Sequence, residues 1–145
     1  MTFDQVRAKY GVKSWRAIKG FDNYRVTSCG RVWSCSKERF LNQYYNLNSY
    51  LRVELYKDGV RHWRFVHRLV CWHYKKNNRP KVKTQVNHMD HDRHNNHAAN
   101  LEHVTPSVNI LHAKKRHANG FIYKGRGKWK KLSYEETRIR AGTPF

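Results

Sequence analysis

VNHMDHDRHNNHAANLEHVTPSVNILHA, Val86 to Ala113, is the stretch on which the reading of this chain turns. Val86 with its neighbours and Leu101 to Val104 are apolar runs, each short enough to be a strand. Between them Asp90 to Asn100 is almost wholly polar and reads as a long loop. Thr105-Pro106 then supplies an oxygen-bearing N-cap and a proline at the first helical position, where its missing N–H costs nothing. The helix is expected to run to about His117, with Asn119-Gly120 turning left-handed at its end. The predicted unit is strand, loop, strand, helix.

That order brings particular side chains together. His88 falls at the end of the first strand, Asn100 at the start of the second, and Asn109 in the first turn of the helix, with His112 three residues on and so on the same face. Strand and helix should converge on one pocket, a candidate metal and phosphate site. Singly, these residues say little. A histidine-rich loop is more often solvent-exposed, Asn95-Asn96 alone is a turn, and an asparagine on a helix is usually surface. The joint spacing on the right elements is what argues for a site.

The pattern resembles the HNH, or ββα-metal, nucleases, and most closely their phage and intron-encoded homing-type members. His88 matches the first H and Asn100 the N, and Asn109 stands where the last metal ligand falls; VNH-x-D, NN, NLE-x-VT and N-x-x-HA match around them. The resemblance implies a metal-dependent DNA endonuclease that hydrolyses phosphodiester bonds with one ion, Mg²⁺ or Mn²⁺, and leaves 5′-phosphate and 3′-hydroxyl ends. The chemistry needs such residues, because a phosphodiester repels hydroxide until a cation neutralises the charge developing on phosphorus and the leaving oxygen. By the resemblance His88 is the general base, an imidazole able to take a proton near neutral pH. Asn100 holds loop and strand so that His88 keeps its orientation, which completes a catalytic set of His88, Asn100 and Asn109. The implied metal ligands are Asn109, Asn87 and His112. Asn87 is a neutral amide where many relatives carry Asp or His, so that phosphate oxygens, or Asp90 or Asp92 reaching back, are alternative donors. In some relatives the third ligand sits one residue beyond His112, where this chain has Ala113.

Composition agrees with a nucleic-acid partner. The 145 residues carry 30 Lys and Arg against 10 Asp and Glu, a formal charge of +20, far beyond what solubility requires. The basic residues are spread along the chain, so the folded surface should carry the field; a ribosomal-type protein would look equally basic. No apolar run approaches the ~18 residues of a membrane span, and MTFDQVRAKY is no signal peptide, so a soluble, cytoplasmic protein is expected, in the host cell if the source is a phage. Cys29, Cys35 and Cys71 are odd in number and include no C-x-x-C pair, which argues against a disulfide framework and a cysteine-rich zinc site. A mixed Cys/His zinc site stays open.

Four segments organise the chain. Residues 1–49 form a small β-rich module. Within it Thr2 to Tyr10 is a short helix with Thr2 and Gln5 spaced as a capping box and Gly11 ending it, and YRVTS and RVWS are β-prone runs joined at Cys29-Gly30. Its W-x-x-I-x-G-F, Y-x-V and G-R-V strings resemble the module found beside HNH cores in homing-type endonucleases, where it is associated with DNA binding. Lys19, Arg25 and Arg31 are then candidate phosphate contacts, although sequence cannot tell these from solvated charges. Lys37 to Ser49 reads as loop.

Residues 50–80 form a β-hairpin and a helix packed on the core. Leu51, Val53 and Leu55 alternate with polar residues, as do Trp63 and Phe65 after Asp58-Gly59. A two-residue turn would set Val53 opposite Arg64. A three-residue loop, Lys57 to Gly59, pairs Leu51 with Phe65 and Val53 with Trp63, and is the predicted register. VHRLVCWHYKK follows at helical spacing until Asn77, Asn78 and Pro80, with His67 and Arg68 candidates for facing DNA against the alternative of a core helix, and His73 a packed histidine. Its V-H-R-L-V string matches the same family.

Residues 81–120 are the ββα unit, with Arg93 in its loop as a further DNA contact. Residues 121–145 are a basic tail containing KGRGKWKK, a flexible phosphate-attracting run, with a short helix expected over Ser133 to Arg140. The expected whole is an α+β protein, a β-rich DNA-binding lobe followed by a ββα nuclease unit, acting on double-stranded DNA as a nickase or homing-type phage endonuclease. A monomer is favoured, the oligomeric state being open. The competing class is a nucleic-acid-binding protein without activity, either a degenerate HNH unit or a zinc-stabilised basic module.

Overall fold

The computed structural model describes residues 1–118, 121–123 and 129–131, with side chains to 114. Helix α1 (Phe3–Tyr10) opens the chain on the expected capping box: the Thr2 hydroxyl accepts from Gln5 N at 3.3 Å, while Thr2 N donates to Gln5 Oε1 at 2.8 Å. Four antiparallel strands follow in order, β1 (Trp15–Ile18), β2 (Phe21–Thr27), β3 (Val32–Ser34) and β4 (Arg39–Phe40). Alternation along β2 and β3 buries Tyr24, Val26 and Val32 towards the main core. Val6 and Val12 close over Trp33 in a smaller cluster shared with α1.

A second sheet is β5 (Tyr44–Tyr45), β6 (Leu51–Lys57) and β7 (Val60–Phe65). The segment expected as loop therefore supplies two strands of two residues each, too short to leave a periodic signal and formed only because a sheet edge lies beside them. The β6–β7 register corrects the expected one: Lys57 pairs with Val60 and Val53 with Arg64 across a two-residue turn. Asp58 at φ 50° and Gly59 at φ 74° form the twisted turn that Asp-Gly favours, since both residues must be left-handed there. The mixed face that argued against this register is tolerated because the charged stems lie along rings. The Arg64 guanidinium sits 5.2 Å from the Phe21 ring, and the His62 ring packs edge-on to Phe21 at 5.3 Å. On the opposite face, Arg52 covers Trp63 at 4.2 Å.

β7 runs straight into α2 (Val66–Tyr74), which buries Val66, His67, Leu69, Val70 and Cys71. His73 is the packed histidine expected, its Nδ1 2.7 Å from Leu69 O and its Nε2 accepting from Lys19 N at 3.1 Å. Beyond it β8 (Gln85–His88) pairs antiparallel with β9 (Leu101–Val104), and α3 (Pro106–Ala118) follows with Thr105 Oγ1 accepting from Val108 N at 3.2 Å. One apolar cluster runs through everything between: Ile18, Phe21 and Val26 from the first sheet, Val53 and Leu55 from the second, Leu69 and Val70 from α2, Val86 and Leu101 from the β8–β9 ribbon. The ribbon thus buries one side against α2 and leaves the other to α3.

In the tail, β10 (Phe121–Tyr123) pairs antiparallel with β11 (Trp129–Lys131), so part of the run expected to be flexible is a paired strand. The Asn119-Gly120 stop and the helix expected over 133–140 lie outside the described residues.

Candidate metal and nuclease site

β8 carries Val86, Asn87 and His88 into the protein, and Asn87 and His88 are each only 5% exposed. A buried polar pair needs partners, because an unsatisfied polar group costs about 1–3 kcal/mol. Asn87 Nδ2 donates to Glu102 Oε1 on the paired strand at 2.9 Å. His88 Nε2 meets the side-chain oxygen of Asn96 at 2.7 Å, and Asn96 itself is 3% exposed. From α3, Asn109 Nδ2 donates to Gln85 Oε1 at 2.8 Å, which ties the helix to the start of β8.

Asn87, His88, Asn109 and His112 line one small cleft of about 30 Å³, together with His91 and Arg93 from the loop. The His112 ring stacks on that of His91, with centroids 3.9 Å apart. Asn100 stands outside this cleft. Its Oδ1 accepts from Asp90 N at 3.0 Å, and its Nδ2 donates to Asp90 Oδ1 and Asn95 O, both at 2.9 Å. Asp90 and Asp92 are committed to the loop: Asp90 also accepts from Asp92 N and Asn95 Nδ2, and Asp92 Oδ1 from His94 N. Burial pushes the Asp90 carboxyl up, but hydrogen bonds from Asn95, Asp92 N and Asn100 outweigh it and hold the group below its usual range.

Electrostatics keep the two central imidazoles neutral. Burial draws His88 below the ordinary histidine pKa; the bond to Asn96 and the charges of Asp90 and Asp92 pull upward, and Arg93 adds to the lowering. His67 of α2 lies 5.2 Å from His88, ring to ring, and Tyr50 covers both. Burial takes His67 down to about 3, with His88, Arg68 and Arg93 adding to the shift. Its Nδ1 has no hydrogen-bond partner among the described residues.

The donor set decides what cation could fit. With the nitrogens of Asn87 and Asn109 held by Glu102 and Gln85, their amide oxygens are left as donors beside the His88 ring. Among the described residues no group of three or more His, Cys, Asp or Glu could hold a metal. Cys71 is core, its thiol pushed up to about 12 by burial. Two neutral oxygens suit Mg²⁺ or Mn²⁺ only when anionic oxygens complete the shell, and a phosphate supplies them. The site fits a hard divalent ion that arrives with, or is held by, phosphate.

The candidate DNA contacts divide. Arg68 is exposed beside a second groove, of about 360 Å³, that also meets Asn109 and Tyr50. Arg93 lies over the Tyr50 ring at 4.7 Å and donates to Asn48 O at 2.6 Å. Lys19, Arg25 and Arg31 belong to the N-terminal module, Arg25 in β2 and the other two in its turns, and do not line the cleft: Lys19 is exposed, Arg25 donates to Asp22 O and Tyr24 O, and Arg31 stacks 3.5 Å over Phe40. Three residues of the site had no signal in the spacing. Asn96 reads as half of a turn within the NN string, His67 as facing DNA or as core, and Tyr50 as the start of a strand; only their places in space join them to His88.

A two-stranded ribbon and a helix clasp one polar cleft, with a buried histidine ending the first strand. The NUMOD4 motif matches residues 14–56. Over 97 residues, 66% of this chain, the sequence is 39% identical to an HNH endonuclease of Acanthamoeba polyphaga mimivirus, of which this covers 24%. Over 97 residues it is 32% identical to the DNA endonuclease I-HmuI of Bacillus phage SP01, covering 55% of that protein. A solved structure of DNA binding and cleavage by the HNH homing endonuclease I-HmuI superposes with TM-score 0.65 at 26% identity, over 88% of this chain and 66% of that one. In sequence and in fold the chain is therefore similar to HNH homing-type endonucleases. It spans between about a quarter and just over half of the length of these curated relatives. Among the described residues, no helix is long and apolar enough to cross a membrane.

Proposed function

We propose that the chain is a metal-dependent endonuclease that hydrolyses one phosphodiester bond of double-stranded DNA per event, leaving 5′-phosphate and 3′-hydroxyl ends. The observation that carries this is the convergence of His88, Asn87 and Asn109 on one cleft, with His88 held by Asn96 and kept neutral by burial. Nε2 donating to Asn96 leaves Nδ1 with its lone pair, the atom that takes the proton from the attacking water. Asn109 and Asn87 are the ligands through their amide oxygens, and His112 borders the same cleft. A bound Mg²⁺ or Mn²⁺ supplies charge neutralisation at the phosphoryl and leaving oxygens. Asn100 shapes the loop that carries Asn96. The charge of +20 attracts the duplex, with Arg68 and Arg93 nearest the scissile phosphate and Lys19, Arg25 and Arg31 contacting DNA farther along.

Supercoiled plasmid should become nicked circles with Mg²⁺ or Mn²⁺, and EDTA should stop the reaction. His88→Ala should bind DNA as the wild type does while losing about 10²–10⁴-fold in rate. One observation favours a second reading, a DNA-binding unit without activity: Asn87 and Asn109 offer the cleft amide oxygens and no carboxylate. On that reading plasmid stays supercoiled with every metal, and His88→Ala changes nothing.

A further inference from the structure

We infer that Asn96 is a positioning residue for His88, and that the β2–β3 turn of the N-terminal sheet, through Gly30, sets where Asn96 stands. The inference rests on the reading of His88 as the base for its consequence in catalysis, but not for its geometry.

Asn96 touches the ring at Nε2, the nitrogen other than the one assigned to take the proton. Its Oδ1 lies 2.7 Å from His88 Nε2 with both residues buried, so the pair sits away from competing water. A neutral imidazole that donates from Nε2 has only Nδ1 to accept with, so this contact selects the tautomer as well as the ring orientation. Asn100 does not do this work, since its bonds go to Asp90 and the Asn95 backbone.

What fixes Asn96 comes from far back in the chain. Ala98 N donates to Ser28 O at 2.8 Å, fastening the loop to the β2–β3 turn. Two residues along that turn, Gly30 presses on Asn96: a Cβ at Gly30 would stand 2.8 Å from Asn96 Cβ, 2.9 Å from its carbonyl oxygen and 3.1 Å from its carbonyl carbon. Two of those three atoms are backbone and cannot swing aside. Gly30 is also left-handed at φ 87°, so a side chain is refused twice over. The turn cannot easily retreat. Gln43 Nε2 holds Gly30 O at 2.7 Å, and the Thr27 hydroxyl accepts from Arg31 N at 2.9 Å while donating to Arg31 O at 3.0 Å. The module matched by the NUMOD4 motif thus forms one wall of the base's socket.

The experiment uses the full chain with ¹⁵N-labelled histidine at about pH 8, without metal or DNA, so that it reads geometry independently of cleavage. Long-range ¹H–¹⁵N spectra report the tautomer, with His88 assigned by the signal missing in His88→Gln. Wild type should show His88 protonated on Nε2. Asn96→Leu should give a mixture of tautomers, and Asn96→Asp, which still accepts, should restore the wild-type pattern. Gly30→Ala should resemble Asn96→Leu. Gly20→Ala is its control, since Gly20 has φ 82° but open space where its Cβ would lie, so it shares the backbone strain without the contact. Should Gly30→Ala fail to fold, Ala98→Pro serves in its place. It removes only the N–H that reaches Ser28, at the first position of a 3₁₀ turn (Ala98–Asn100), after a residue already extended at φ −65°, ψ 137°.

An unchanged His88 tautomer in Asn96→Leu overturns the role of Asn96. A Gly30→Ala or Ala98→Pro protein that matches Gly20→Ala overturns the role of the turn. In cleavage, kcat of Asn96→Leu should fall about 10–100-fold with KM little changed, and Asn96→Asp should recover most of it. If the tautomer shifts while cleavage does not, the positioning stands and the reading of His88 as the base fails.

Discussion

Acidification should unfold this protein through His67. That residue is 6% exposed, its Nδ1 has no hydrogen-bond partner among the described residues, and burial takes its pKa from 6.5 to about 3. An unfolded chain takes up a proton there as the pH drops through the ordinary histidine value, and the folded chain does not until near the lower one. The folded pKa is the depressed one, so the stability is complete above the unfolded value and is lost as the pH falls towards the folded value. The loss runs at about 1.4 kcal/mol per pH unit, or about 3 kcal/mol between neutral pH and about pH 4.5. His67→Phe keeps a ring against Tyr50 and His88 but has no proton to gain. In urea unfolding followed by tryptophan fluorescence, the wild-type midpoint should fall about 2 M further on this acidification than that of His67→Phe, for a slope near about 1.5 kcal/mol per M. Equal losses in the two proteins would refute the reasoning, because the buried neutral imidazole would then not be what acid attacks.

Cleavage should lose rate only on the acid side, with its midpoint below the ordinary histidine value because burial lowers His88, and should be level from about pH 7 to about pH 8; a midpoint above that value in a pH–rate series counts against the base. Asn100→Ala removes three hydrogen bonds at once and should cost about 2–3 kcal/mol in thermal or urea unfolding, against a negligible loss if the loop stands by itself. Asn87→Asp should lower the melting temperature in EDTA, since a carboxylate replaces the donor facing Glu102, and should bind Mn²⁺ about tenfold more tightly by calorimetry; affinity no better than wild type would mean this position is not a ligand. Affinity for a duplex should fall about 10³-fold between about 50 and about 200 mM salt in fluorescence anisotropy, and a shallow slope would show that few phosphates are contacted.

Much of the fold was legible because local chemistry and global pattern agree there. Thr2 and Gln5 cap α1, Leu101 to Val104 is a strand at its expected bounds, and Thr105-Pro106 starts α3. The hairpin register was not, because alternation separates apolar from charged only where charged stems stay off the core, whereas Arg64 and His62 cover Phe21 with stem and ring. Asp-Gly was the better guide, since turn geometry acts on two residues and does not depend on what lies across the sheet. The strands β4 and β5 were invisible for a related reason: a two-residue strand exists only where an edge waits for it. In the cleft, His88, Asn109 and His112 could be placed together from spacing, but their partners could not. Glu102, Gln85 and Asn96 are ordinary polar residues until a ribbon and a helix bring them within 3 Å.

By itself the sequence determined the ββα order and brought Asn87, His88, Asn109 and His112 to one cleft, and its charge sets the expectation of a polyanion partner, because periodicity, caps and net charge are properties of neighbours and of sums. Only the tertiary structure decided which nitrogen of His88 is occupied, that His67 is buried beside it, and that a turn at Ser28 to Gly30 closes the far side of the socket. Those facts depend on contacts across 8 residues for His88 and Asn96, 21 for His67 and His88, 66 for Gly30 and Asn96 and 70 for Ser28 and Ala98, and no local rule carries information between segments that only folding brings together.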